Sequence, residues 1–361
     1  MTATPLPAAP THRRIQGLDL LRGAAIALVL LRHSWPEVFG GAGIVGVVVF
    51  FTLSGYLITG LLAADVRRYG KIRYGRFYRN RFLRLIPALL FVLVGLVVME
   101  GILDVSDTRR FVPRTIGVAL TYTMNIPLFN HGSPNFSHLW TLANEEQFYL
   151  VWPLIIFLGV RYRKLRLLVA LTAVVLIVLL VATVAWHQDD IQKIYNYPTT
   201  WTISMVIGAA AKLGEPRLDA LLGGKRLAPA AIMGAVGLLA MSFVPDAKEH
   251  VATYLVGGTA VGACTVLVLW KLRDWAVVPR GLGLFVKLGT ISYAVYLWNY
   301  PINWWLRDAG APEVPVTTVA LSILAGALSW VLVERPIATV KQRLDQKVPA
   351  TTAPKRESAS V

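Results

Sequence analysis

The chain has a single cysteine, Cys264, and it lies inside an apolar segment. No intramolecular disulfide can form. Acidic residues are also scarce: 20 Asp and Glu stand against 36 Lys and Arg, a net charge of +16. Segments of alternating polar and apolar residues are missing, which excludes a transmembrane barrel. No internal repeat stands out, which argues against inverted-repeat transporter folds. No small-residue cleavage site follows the first apolar stretch. Ile15–Ser34 is therefore expected to remain as an anchor. No second soluble domain is expected.

Apolar sequence is abundant. Of 361 residues 55% are hydrophobic, and the mean hydropathy is +0.57. Several segments approach the length that spans hydrocarbon. The fold class is therefore all-α: a polytopic integral membrane helical bundle. Ten spans are expected, near 15–35, 44–64, 83–103, 140–160, 166–186, 201–213, 228–244, 251–270, 284–306 and 316–334. A weaker apolar segment, 113–129, is expected to be re-entrant or interfacial. Residues 1–14 and 341–361 read as cytoplasmic tails, the second polar and disordered in character, and 15–340 as the membrane domain.

The basic excess does not indicate nucleic acid. Lys and Arg collect in cytoplasmic loops of membrane proteins, and here they fall in the short loops between apolar segments. With ten spans, 28 of the 36 Lys and Arg lie on the inner side, six on the outer side (Arg109, Arg110, Arg114, Lys193, Lys248, Arg307), and two in the first helix. This places both termini in the cytoplasm, in a plasma-membrane protein.

Polar residues within the apolar stretches single out the chemistry. The first helix carries Asp19, Arg22, Arg32 and His33. Ionisable groups at membrane depth are costly and mark functional sites. Eleven residues separate Arg22 from His33, about three turns or ~16 Å along one helix face. Asp19 shares that face. A histidine can take a proton from a hydroxyl at neutral pH. The glycine-rich stretch Gly40–Thr59 holds Ser54 and Tyr56, and its glycines let helices approach closely. Arg76-Phe-Tyr-Arg79-Asn-Arg81-Phe-Leu-Arg84 places arginine forks, suited to phosphate, at the cytoplasmic mouth. Ser137-His138-Leu-Trp140 leads into Asn144-Glu145-Glu146-Gln147-Phe-Tyr149. Its two carboxylates point about 100° apart, so at most one is expected to face His33. Ser292-Tyr-Ala-Val-Tyr296-Leu-Trp298-Asn299 and Glu334-Arg335-Pro336 close the set.

In this order these blocks resemble the membrane-bound acyltransferase-3 family of O-acyltransferases, over roughly residues 15–340. The resemblance implies a ten-helix enzyme that moves an acyl group, often acetyl, from cytoplasmic acyl-CoA to a hydroxyl. Family acceptors include surface polysaccharides, lipid-linked sugars and macrolide-type products. Three positions depart from the pattern. Val48 stands where an Asp is usual, Ala143-Asn144 replaces Ser-Val before the Glu pair, and Asn299 replaces a His. These losses leave His33 and the Glu pair with more of the chemistry.

The expected roles follow. His33 is the general base, with Glu145 or Glu146 orienting it. Arg81, Arg84 and Arg79 hold the phosphates of coenzyme A. Arg22 ties Asp19 or lines the donor channel. Ser54, Trp298 and Asn299 are candidate oxyanion donors, and Tyr56, Tyr149, Ser292, Tyr296, Glu334 and Arg335 are supports. Acyl-CoA, the acetyl form in the family's common usage, enters as co-substrate. No bound cofactor or metal is expected. The partners are a hydroxyl-bearing glycan or small hydrophobic acceptor and membrane lipid, without nucleic acid. A proton-coupled transporter and a catalytically silent family member are the rival readings.

Overall fold

The computed structural model describes residues 15–128 and 132–346. The tail 1–14, with Arg13 and Arg14, and the segment from 347 lie outside the described residues. The described residues form fourteen α-helices: α1 (Gln16–Ser34), α2 (Ala42–Tyr69), α3 (Tyr74–Leu96), α4 (Val112–Leu120), α5 (Trp140–Arg161), α6 (Leu165–Trp186), α7 (Pro198–Leu213), α8 (Glu215–Leu222), α9 (Leu227–Ser242), α10 (Gly258–Leu272), α11 (Gly283–Thr290), α12 (Ser292–Asp308), α13 (Val314–Ser329) and α14 (Arg335–Gln346). No strand occurs among the described residues.

Among the described residues, six helical stretches are long and apolar enough to cross a membrane: 42–69, 74–102, 165–186, 224–242, 253–272 and 314–341. The other four expected spans are less apolar, shorter or, for 284–306, sharply bent. They are α1, α5, α7 and the 284–306 segment, and the first, second and last of these bear most of the polar residues singled out above. The 284–306 segment is not one helix. It breaks at Ile291 into α11 and α12, which meet at 70°. The Ile291 amide bonds back to Leu288 at 3.2 Å and closes the first helix there. Among the described residues of segment 113–129 the one α-helix is the nine-residue α4, about 14 Å long and too short to cross ~30 Å of hydrocarbon.

The helices outrun their apolar segments. The expected basic loop 65–82 shrinks to 70–73, because α2 continues to Tyr69 and α3 starts at Tyr74. Arg76, Arg79 and Arg81 therefore lie on α3. Lys and Arg are good helix formers, so the polar extensions stay helical beyond the hydrocarbon-compatible stretch.

α2 is the central post: 72% of its apolar window is buried, against 17% for α6. It packs on α1, α7 and α10. Small residues permit the closest crossing. A side chain at Gly55 would overlap the Met205 carbonyl, and one at Gly208 would overlap the Thr52 carbonyl. α1 lies against α2, α11, α12 and α13, so the charged helix is enclosed by protein.

Candidate active site

Two cavities meet in the middle of this bundle. The smaller, about 110 Å³, is lined by Arg22 of α1, Ser54 of α2, Arg81 and Arg84 of α3, Thr141, Glu145 and Tyr149 of α5, and Ser292 and Tyr296 of α12. The larger, about 420 Å³, is lined by Arg32 and His33 of α1, Ser137 and His138 before α5, Tyr195, Lys248, and Tyr296, Tyr300, Trp304 and Arg307 of α12. Val47 and Tyr296 belong to both linings and form the wall between them.

In the larger chamber His33 Nδ1 and Asn299 Oδ1 are 2.5 Å apart. The surrounding bonds fix the direction of this contact. Ser322 donates its hydroxyl to the Thr318 carbonyl at 2.5 Å, so its oxygen accepts from Asn299 Nδ2 at 3.2 Å. The amide oxygen of Asn299 therefore faces His33, and Nδ1–H donates to it. This leaves Nε2 with its lone pair, the form a general base needs. Asn303 steadies the same turn: its Nδ2 donates to the His33 carbonyl at 3.1 Å. The imidazole packs edge-on to Tyr300, with ring centroids 5.0 Å apart. His138 approaches the other side of Tyr300 at 5.2 Å, and its Nε2 lies 3.2 Å from the Leu297 carbonyl.

The smaller chamber is organised by Arg81. Its guanidinium lies 3.3 Å from the Tyr149 ring centroid and donates to Glu146 Oε1 through Nη2 at 2.9 Å and Nε at 3.2 Å. Tyr149 in turn bonds Ser54. Arg22 pairs with Asp19 at 3.5 Å, one turn earlier, and also lines the chamber. Both expected roles of Arg22 are thus compatible with its position. Glu145 stands within electrostatic reach of Arg81 and Arg84.

The sequence pattern paired His33 with the Glu residues. The structure separates them. Glu145 lines the smaller chamber, Glu146 lies on Arg81, and the partner of His33 is Asn299. The reason is that Glu145 and Glu146 begin the second turn of α5, after a short 3-10 turn over Pro134–Leu139. It is therefore Ser137 and His138, not the Glu pair, that reach the larger chamber.

The other candidates lie away from the two linings. Tyr56 donates to Glu215 at 2.5 Å, beside Lys212 and Trp270. Trp298 packs against Phe91 and Gly95. Glu334 accepts from Ser329 at 3.3 Å, Arg335 sits over Trp330, and Arg79 lines neither chamber. His138, Tyr300, Asn303 and Lys248 enter the site without having been selected from sequence. For His138 a signal existed: an imidazole immediately ahead of a membrane helix, in the same block as the Glu pair.

The arrangement offers a half-buried imidazole beside a cavity, and a second cavity rich in arginine behind a thin wall. Comparison with known proteins agrees with an acyl-transfer scaffold. The chain is 28% identical over 353 residues to the O-acetyltransferase OatA of Staphylococcus aureus, covering 90% of this chain and 57% of that protein. It is 27% identical over 354 residues to the peptidoglycan O-acetyltransferase OatA of Listeria monocytogenes, covering 91% and 56%. The chain thus spans a little over half the length of these relatives. No solved structure is a significant match. The family profile described as an acyltransferase domain matches residues 15–334. The chain therefore belongs to the acyltransferase-3 family.

Proposed function

We propose that this protein is an integral membrane O-acyltransferase that moves an acyl group, acetyl in the simplest case, from acyl-CoA to a hydroxyl of a glycan. The observation that carries the reading is His33, with its Nε2 set free by Asn299, in a chamber one wall away from a second, arginine-lined chamber. The names of the relatives support an acetyl donor and a glycan acceptor. The charge distribution supports a plasma-membrane orientation with ten crossings, both termini cytoplasmic and the α4 region re-entrant or interfacial. In that orientation the smaller chamber faces the cytoplasm and receives the donor, with Arg84 and Arg81 near its phosphates. The larger chamber receives the acceptor from outside. No resident cofactor takes part.

In this mechanism the thioester end of the donor passes Tyr296 into the larger chamber, where His33 Nε2 takes the proton of the acceptor hydroxyl as its oxygen attacks the thioester carbonyl. The tetrahedral oxyanion collapses, the C–S bond breaks, and the departing thiolate of coenzyme A recovers the proton from His33. The His33–Asn299 hydrogen bond holds the imidazole in one tautomer through both steps.

Radiolabelled acetyl-CoA with purified protein tests the reading. The wild type should consume the thioester, and His33→Ala should lose at least about 10²-fold in rate while remaining folded and inserted. Full activity in His33→Ala would refute the assignment of the base. Substrate flux without thioester consumption would favour the transporter, and absence of both would favour a silent member.

A further inference from the structure

The larger chamber gathers positive charge without neutralising it. Arg32, Lys248 and Arg307 line it, and no Asp or Glu does. All three lie near enough to His33 to act on it electrostatically. Among the described residues, none of the three has a carboxylate within ion-pair distance. Two acids of the neighbouring loops are engaged with other partners. Asp190 pairs with Lys193 at 3.2 Å, and Glu249 accepts from Gln192 at 3.4 Å.

The smaller chamber is different: there Arg81 already holds Glu146, and Arg22 holds Asp19. Lys248 shows the strain most clearly. Its ammonium rests over the Tyr195 ring at 4.0 Å, and burial together with the charge of Arg32 brings its pKa from 10.5 down to about 8. Like charges gathered in a half-closed cavity repel one another, and an anion placed among them converts that repulsion into attraction. Arg307 is already oriented, since its Nε donates to Asn303 at 3.0 Å. Trp140, Tyr300 and Trp304 add flat faces of pyranose dimensions, while Ser137, Gln192 and Asn196 add hydrogen-bonding groups.

We propose that the acceptor carries a carboxylate or phosphate beside the sugar hydroxyl that is acylated, and that Arg32, Lys248 and Arg307 hold this anion. This rests on the acyl-transfer reading of the same site. The anion fixes the sugar's position, so that one hydroxyl is presented to His33 Nε2. Neutral sugars lack that anchor and bind loosely.

The test uses purified full-length protein in lipid nanodiscs with three probes: methyl β-glucoside, methyl β-glucuronide and glucose 1-phosphate. Affinity is read from tryptophan fluorescence, since Trp140 and Trp304 line the chamber, and acetyl-CoA consumption is measured in parallel. At least one anionic probe should bind about tenfold more tightly than the glucoside, and which one does so identifies the carboxylate or the phosphate as the anchor. Its advantage should shrink by about tenfold in Lys248→Met and in Arg307→Gln, and should fall as salt is raised. Arg307 is exposed at the rim, so its replacement leaves folding intact. Equal binding of all three probes by protein that consumes acetyl-CoA overturns the inference, as does a preference that survives both substitutions. An anionic preference without acetyl-CoA consumption overturns the acyl-transfer reading and leaves the anion site standing.

Discussion

Asn299 is the residue at which sequence comparison and geometry part company. Read as a lost histidine, it suggests a weakened site. In the structure it supplies an acceptor that a neutral His33 can donate to, braced by Ser322. It touches no reacting atom, so it is a positioning residue. Asn299→Leu should lower kcat by about 10²-fold with KM nearly unchanged, whereas Asn299→Asp, which keeps the acceptor, should recover most of the rate. Steady-state kinetics on the two variants decides it; equal loss in both would mean that only packing at α12 matters. Lys248 makes the opposite kind of prediction. Its folded pKa is lowered to about 8 from 10.5, so the charged form costs stability. That cost is fully present below about pH 8 and is relieved as pH climbs towards 10.5. Lys248→Met should therefore raise stability at neutral pH by about 1 kcal/mol, and the gain should shrink towards pH 10. Thermal unfolding at the two pH values measures both signs.

At the scale of elements, the Arg81–Glu146 pair ties α3 to α5. The side chains are only 11% and 18% exposed, so neither charge can turn to water if its partner is removed. Glu146→Ala should destabilise the protein by about 3–5 kcal/mol. The double replacement Arg81→Met/Glu146→Leu should recover much of that loss, because it leaves no buried charge behind. Unfolding midpoints of the single and double variants settle the comparison, and additive losses would mean that the pair contributes packing alone. These elements were only partly legible in the sequence. Hydropathy located the long apolar helices, because apolar composition is what it reads, but not the polar α8 and α14, the second of which runs through 341–346 where the sequence reads as a disordered tail. It missed the break at Ile291 and the helical extensions at Tyr69 and Tyr74. Bends depend on which backbones approach, and polar residues such as Arg76 and Arg79 continue a helix without adding to its apolar signal.

For the whole molecule, burial rather than hydropathy separates the inner helices from the outer ones. α6, whose apolar window is 17% buried, lies at the periphery, while α2 and the enclosed α1 form the interior with the site. The candidate residues Arg22, His33, Ser54, Arg81, Arg84 and Glu145 could be found from sequence because a charge or hydroxyl in an apolar run stands out. Their division into two chambers could not, since linear order says nothing about which face of α5 meets which face of α12. Lys248 escaped for the same reason: in sequence it is one more basic residue in a loop, and only the fold brings it to Arg32 and Arg307.

The wall shared by the two chambers bears on a hazard separate from acyl transfer. Cavities that open towards opposite sides of a bilayer form a conduit as soon as they join, and a conduit lined with arginine and lysine would short-circuit the membrane potential by passing anions. Val47 and Tyr296 are all that both linings have in common, and Tyr296 is pinned between the His138 carbonyl at 2.9 Å and the Thr141 hydroxyl at 2.8 Å. In liposomes the wild-type protein should be electrically tight, and Val47→Gly/Tyr296→Ala should admit chloride faster than sodium in a flux assay. Tightness in that double variant would place the seal elsewhere. In the proposed orientation, then, a single aromatic side chain held by two hydrogen bonds stands between the donor chamber and the acceptor chamber.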